Sequence, residues 1–66
     1  MKVNKLRGKM AENGYTLTKM SDSLSISRAT LNNYLKNPNK MPYEIIEKMA
    51  DLLFDTKEEA FAVFFN

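Results

Sequence analysis

Arg28, Asn32 and Asn33 are the residues whose types and spacing best suit a recognition chemistry. An arginine donates two parallel hydrogen bonds to O6 and N7 of guanine, and an asparagine makes the matching bidentate pair with adenine. Leu31 and Leu35 recur at helical spacing, so the three polar residues would lie on the opposite, exposed side of one helix. The pattern predicts a helix with a buried side and a side able to read base edges.

Structural preferences alone do not explain these residues. Ser27 is a suitable N-cap, which places Arg28 in the first turn of the helix, where a positive charge opposes the helix dipole. Asparagine is a weak helix former, and two adjacent ones are unusual inside a helix. A contact with a ligand explains the choice better than helix stability does.

Several chemistries are excluded by composition. The 66 residues include no cysteine, histidine or tryptophan, which removes disulfides, the usual zinc ligands, thiol nucleophiles and the common general base. So short a chain also has little room for an enclosed active site. We therefore expect no enzyme, no cofactor, no metal and no small-molecule substrate. The absence of disulfides favours a reducing compartment.

Charge divides the chain into two parts. Residues 1–40 hold eight lysines and arginines against two acidic residues, a net charge of +6. Residues 41–66 hold two lysines against six acidic residues, a net charge of −4. A basic first part predicts a surface that faces a polyanion, with the acidic remainder turned away from it.

Apolar runs are too short for a membrane helix. The longest, Leu52–Phe54 and Phe61–Phe65, fall far below the ~20 residues that span a bilayer, and no apolar stretch follows the basic start. We expect a cytoplasmic protein without membrane contact.

Helical periodicity and capping residues predict an all-α fold, a compact bundle of about five short helices in one domain, residues 1–66. Gly14 is expected to end the first helix in a left-handed conformation. The first helix is predicted over Val3 to Asn13, the second has two turns and is capped by Thr16, and the third covers Arg28 to Leu35 or Lys36. The fourth has Pro42 in its first turn, and its inward residues are Ile45, Ile46, Met49, Leu52 and Leu53. The last begins with a capping box formed by Thr56 and Glu59. A loop is expected over Asn37–Lys40.

The second and third helices have the spacing of a helix-turn-helix. Ser21 is small where the two helices would cross, and Ile26 in the turn and Leu31 in the third helix would fill the core beneath. The third helix would then project its polar side into the major groove of B-DNA, which is about 12 Å wide.

At these residues the chain resembles the helix-turn-helix domains of the lambda repressor and Cro type, the XRE family, and its small phage-encoded Cro-like members. The resemblance covers about residues 4–53. It is carried by Leu6-Arg7, Gly14-Tyr15-Thr16, Leu24 to Leu31, Pro42 and Ala50 to Leu53, with Phe64-Phe65 in the tail. The chain departs from the family at four positions. It has Leu17 where the family usually has glutamine, Ser21 where it has alanine and Ser25 where it has the turn glycine. Leu35 replaces a glutamate that would pair with Arg7.

The resemblance implies roles for individual residues. Independently of the resemblance, the spacing of Tyr15 and Tyr34 with Leu31 and the second helix predicts that both lie at the core or its rim, and Thr30 is expected either near a thymine methyl or in a hydrogen bond at the helix start. The base-contacting residues would be Arg28, Ala29, Asn32 and Asn33. The phosphate-contacting residues would be Thr16, Thr18, Lys19, Ser27, Lys36, Asn37, Asn39 and Lys40.

The implied function is that of a sequence-specific regulator of transcription, a Cro-like repressor on a pseudo-palindromic operator in double-stranded DNA. A single helix in the major groove contacts too few bases to specify a unique site in a genome, so a homodimer is expected, at least on DNA. We expect Phe61 to face inward and Phe64 or Phe65, or both, to contact the second copy. The alternative is a protein-interaction module, an anti-repressor or assembly factor, that docks through the Phe-rich last helix.

Overall fold

The computed structural model describes residues 1–65, most of which lie in five α-helices. These are α1 (Val3–Glu12), α2 (Leu17–Leu24), α3 (Arg28–Lys36), α4 (Tyr43–Leu53) and α5 (Lys57–Phe64). One turn of 3-10 helix, Pro38–Lys40, replaces the predicted loop before α4. The predicted all-α architecture of five short helices is confirmed, and residues 1–65 contain no strand.

Hydroxyl side chains cap three of the helices. The capping acceptors are Thr16 Oγ1 for the Lys19 N–H (3.1 Å), Ser27 Oγ for the Thr30 N–H (3.0 Å) and Thr56 Oγ1 for the Glu59 N–H (3.2 Å). The return bond of the predicted capping box, from the Thr56 N–H to the Glu59 carboxylate, does not form within residues 1–65. Pro42 precedes α4 with extended backbone instead of lying in its first turn. The predicted caps are otherwise confirmed.

All five helices contribute side chains to one core. Its buried apolar residues are Leu6, Met10, Met20, Leu24, Leu31, Leu35, Met41, Ile45, Met49, Leu53, Ala60, Val63 and Phe64. The helix α2 packs against α3 and α4, whereas α5 packs against α1 and α4. A bond from the Lys2 N–H to the Val63 carbonyl (2.9 Å) also ties the start of the chain to α5. The helices α3 and α5 are therefore held by different neighbours.

The orientation of α5 differs from the prediction. Its buried side consists of Ala60, Val63 and Phe64, at i, i+3 and i+4, and Phe61 next to them is 50% exposed. The inward placement of Phe61 was wrong, because the small Ala60 takes the inward position at this turn. Of the two residues expected at the dimer contact, Phe64 is 4% exposed and fills the core, and Phe65 is 55% exposed.

The inward side of α4 is narrower than predicted. Ile45, Met49 and Leu53 are buried and Ile46 is half-buried, but Leu52 is 38% exposed. Positions i, i+4 and i+8 advance by about 40° per step around a helix, so the buried stripe turns away from Leu52 toward α5. The inward placement of Leu52 was therefore wrong.

Candidate nucleic-acid interface

A tight left-handed turn joins α2 to α3. Ser25 has φ 58° and ψ 40°, and it is the one residue other than glycine with positive φ in the described part of the chain. Its N–H donates to the Asp22 carbonyl at 3.1 Å, and the N–H of Ile26 donates to the Ser21 carbonyl at 3.0 Å. These two bonds form a Schellman motif, which normally has glycine at the position of Ser25. The left-handed conformation is the one that the family's glycine would favour.

The crossing of α2 and α3 is built on small and apolar side chains. Ser21 is 1% exposed, and its hydroxyl donates to the Thr18 carbonyl at 2.9 Å, so this buried polar group is satisfied. Leu31 is fully buried beneath the crossing, and Ile26 is half-buried against the core. The predicted role of these three residues in positioning α3 is confirmed.

The outer side of α3 is open and polar. Arg28, Ala29 and Asn33 are exposed, whereas Asn32 is half-buried. Arg28 occupies the first position of the helix, directly after the Ser27 cap. The structure therefore places the four predicted base-contacting residues on one helix and leaves three of them exposed.

Ser27 and Thr30 are joined to each other at the start of α3. The Ser27 hydroxyl donates to Thr30 Oγ1 at 2.8 Å while it accepts the Thr30 N–H. The hydrogen bond expected as one alternative for Thr30 is thus present, and Thr30 is half-buried. The two hydroxyls hold the first turn of α3, beside Arg28, in a defined conformation.

The predicted phosphate-contacting residues lie at the ends of α2 and α3 and in the 3-10 turn that follows α3. All of them are exposed: Thr16, Thr18, Lys19, Ser27, Lys36, Asn37, Asn39 and Lys40. The 3-10 turn packs against α3, which places Asn39 and Lys40 beside that helix. The set spans 25 positions of the sequence, from 16 to 40.

Charge at the helix starts is also divided. The first turns of α2 and α3 contain no acidic residue, whereas those of α4 and α5 contain Glu44, Glu58 and Glu59. Free N–H groups and the helix dipole make the start of a helix attractive to anions. Within residues 1–65 the one ion pair joins Lys9 and Glu12 at 3.9 Å, so no carboxylate lies within 4.0 Å of the charged groups of the lysines and arginine of this surface.

Two of the residues that depart from the family, Leu17 and Leu35, lie in apolar surroundings. Leu35 is buried, Leu17 is half-buried against the core, and Arg7 is exposed without an ion-pair partner in the described residues. Tyr15 and Tyr34 pack at the rim of the core, as predicted. Leu35 therefore contributes to the core in place of an ion pair between α1 and α3.

A second surface was not foreseen in full from the sequence. Tyr43, at the start of α4, is 59% exposed and stacks on Phe65 of the chain end, and Phe61 meets Phe65 edge to face. Together with Glu47 and Asp51 of α4, these three rings line an open groove, called the aromatic groove below. Tyr43, Glu47 and Asp51 recur at i, i+4 and i+8, a helical spacing that could have revealed this second side of α4.

None of the helices in residues 1–65 has the length and hydropathy needed to cross a bilayer. A family model described as a Cro/C1-type HTH DNA-binding domain matches residues 5–54, more than half of the chain. The match includes α2, the left-handed turn and α3. Comparisons with curated proteins and with solved structures gave no significant match.

Proposed function

The chain belongs to the family of Cro/C1-type helix-turn-helix DNA-binding domains, and on this basis we propose that it is a sequence-specific transcriptional repressor. Membership of this family makes it a DNA-binding protein and not an enzyme. The finer assignment is a small, phage Cro-like repressor that occupies an operator and excludes RNA polymerase. The common core of all five helices supports treating residues 1–66 as one domain.

The observation that carries the proposal is the open side of α3. Arg28, Ala29 and Asn33 are exposed on a helix whose buried side is fixed by Leu31 and Leu35. A rigid helix that presents an arginine and an asparagine is suited to guanine and adenine edges in the major groove. We assign base contacts to these three residues, with Asn32 as a fourth and more restricted one.

Phosphate contacts would orient this helix on the duplex. The acid-free starts of α2 and α3 and the exposed lysines of the surface supply N–H donors and positive charge. We assign these contacts to Thr16, Thr18, Lys19, Ser27, Lys36, Asn37, Asn39 and Lys40.

Two copies would bind a pseudo-palindromic operator, one to each half-site. A short helix in the major groove contacts only a few base pairs, so two half-sites are needed to specify a unique binding site. Of the two residues first expected at the dimer contact, only Phe65 is exposed. The half-sites themselves hold the copies together in this proposal, which requires a homodimer on DNA and not in free solution.

Selection of the duplexes bound by the pure protein from a random pool tests the proposal. We expect enrichment of a two-fold symmetric site, with two chains per duplex by sedimentation. A pool that stays random after repeated selection would refute the repressor assignment.

A further inference from the structure

The aromatic groove leaves three aromatic side chains in contact with solvent. The ring centroids of Tyr43 and Phe65 are 6.5 Å apart at an interplanar angle of 30°, and those of Phe61 and Phe65 are 5.4 Å apart at 67°. All three rings are at least half exposed although the core has apolar side chains from every helix. Adjoining exposed rings of this kind are typical of an interaction surface.

Two carboxylates lie along the same groove. Glu47 and Asp51 are four positions apart on α4, and neither has an ion-pair partner within 4.0 Å in residues 1–65. Like charges at this spacing weaken a helix slightly. Lys57 also lines the groove but pairs with neither carboxylate in the described part of the chain. Helix stability therefore gives no reason for this pair.

We propose that the aromatic groove binds an arginine or lysine side chain presented by a basic segment of a partner protein. Aromatic faces and carboxylates attract the same group, because a cation interacts with the ring quadrupole and forms charge-assisted hydrogen bonds to the carboxylate. The groove holds about 200 Å³. Small-molecule pockets usually hold about 300 to 1,000 Å³, so one long side chain suits this groove better than a metabolite.

Charge excludes the other occupants that an apolar surface could attract. A second copy docked groove to groove would bring the Glu47 and Asp51 carboxylates of both copies into one interface, where the Lys57 side chains are too few to balance them. A nucleic acid or an anionic membrane would meet the acidic part of the chain, residues 41–66. Because α5 packs on α1 and α4 while α3 packs on α2, a partner in the groove would leave the reading helix free.

Titration of the isotope-labelled full chain with a short synthetic peptide tests the proposal. The probe is a peptide in which arginine and leucine alternate, and the reference probe has glutamate in place of arginine. We expect shifts at Tyr43, Phe61 and Phe65 with the first peptide and none with the second. The double variant Glu47→Gln/Asp51→Asn should raise the dissociation constant roughly tenfold, and so should Phe65→Ser.

The matched control is Glu58→Gln/Glu59→Gln, which removes two charges of the same region from outside the groove. It should change the dissociation constant by less than about threefold, as expected of exposed charges at a distance. If both double variants weakened peptide binding equally, the effect would be a general electrostatic attraction to the acidic part of the chain, and the proposal would be overturned. So would an absence of binding, or self-association of the wild type that Phe65→Ser abolishes. Binding to the selected duplex, measured in parallel, should not change, so a failure here is separate from a failure of the repressor assignment.

Discussion

Ser25 shows how a single residue can hold a functional turn at a cost in stability. Its left-handed backbone is required by the Schellman motif between α2 and α3, and any side chain is strained there. The sequence revealed the departure from glycine and the cost of about 1 kcal/mol that follows if the conformation is kept. The structure confirms that it is kept.

We expect Ser25→Gly to raise the free energy of unfolding by about 1 kcal/mol, because glycine adopts positive φ without strain. Urea denaturation measures this change. The matched control is Ser23→Gly on the exposed side of α2, where the same substitution should lower the free energy of unfolding by about 0.5 kcal/mol. A loss of stability at both positions would show that Ser25 is not strained.

Arg28 is the residue to which the proposal assigns the most specific contact. Arg28→Ala should weaken binding to the selected duplex by about 1 to 3 kcal/mol and relax the preference at one base position per half-site. Lys48→Ala, which removes one positive charge from the exposed side of α4, is the control and should leave the preference unchanged. Competition binding with single-base variants of the duplex measures both effects. An equal loss on every variant would make Arg28 a phosphate contact.

At the scale of the helices, most boundaries could be predicted from local chemistry. Thr16, Ser27 and Gly14 mark helix ends through hydrogen bonds and backbone geometry that involve only neighbouring residues. The small Ser21 and the apolar Ile26 likewise revealed the crossing of α2 and α3. Such features depend on the nearest turn of the chain, and a sequence displays them directly.

The orientation of α5 could not be predicted in the same way. Its residues are apolar around most of the helix, so Phe61 and Phe64 are both compatible with an inward position. Packing on α1 and α4 decides between them, and it buries Ala60, Val63 and Phe64. The aromatic groove also depends on which side of α5 is buried, which explains why the part of the groove formed by Tyr43 was not predicted.

Phe64→Ala should lower the free energy of unfolding by about 3 to 5 kcal/mol, because it opens a cavity under α5 and removes the edge contact with Phe54 at 6.0 Å. Phe61→Ala is the matched control and should change it by less than about 1 kcal/mol, since this ring is half exposed. Phe64→Leu keeps the chain folded for measurement if the alanine variant does not fold. Equal losses at Phe61 and Phe64 in thermal and urea denaturation would contradict the observed orientation of α5.

At the scale of the whole molecule, the division of charge follows the division of surfaces. The basic part, residues 1–40, contains α1, α2, α3 and the 3-10 turn, and the acidic part, residues 41–66, contains α4 and α5. The net charge of +2 is therefore the sum of a basic part and an acidic part and describes neither of them. One surface suits a polyanion while the other repels it, which favours a single orientation on DNA.

Salt dependence measures the contribution of the basic surface. Each phosphate contact releases condensed counterions, so Lys36→Ala and Lys40→Ala should each reduce the slope of log K against log salt concentration by about one. Lys57→Ala, on the acidic side of the molecule, should leave the slope unchanged. Affinity that does not vary between about 50 and 200 mM salt would rule out the electrostatic contribution.

The central claim is that the exposed side of α3 reads base sequence in double-stranded DNA. The most direct measurement is the ratio of affinities for the selected duplex and for a duplex of the same composition in shuffled order, at one physiological salt concentration. Specific binders of this kind favour their site by roughly 10³ or more, and we predict a ratio of at least that order. A ratio near one at every salt concentration would contradict the claim.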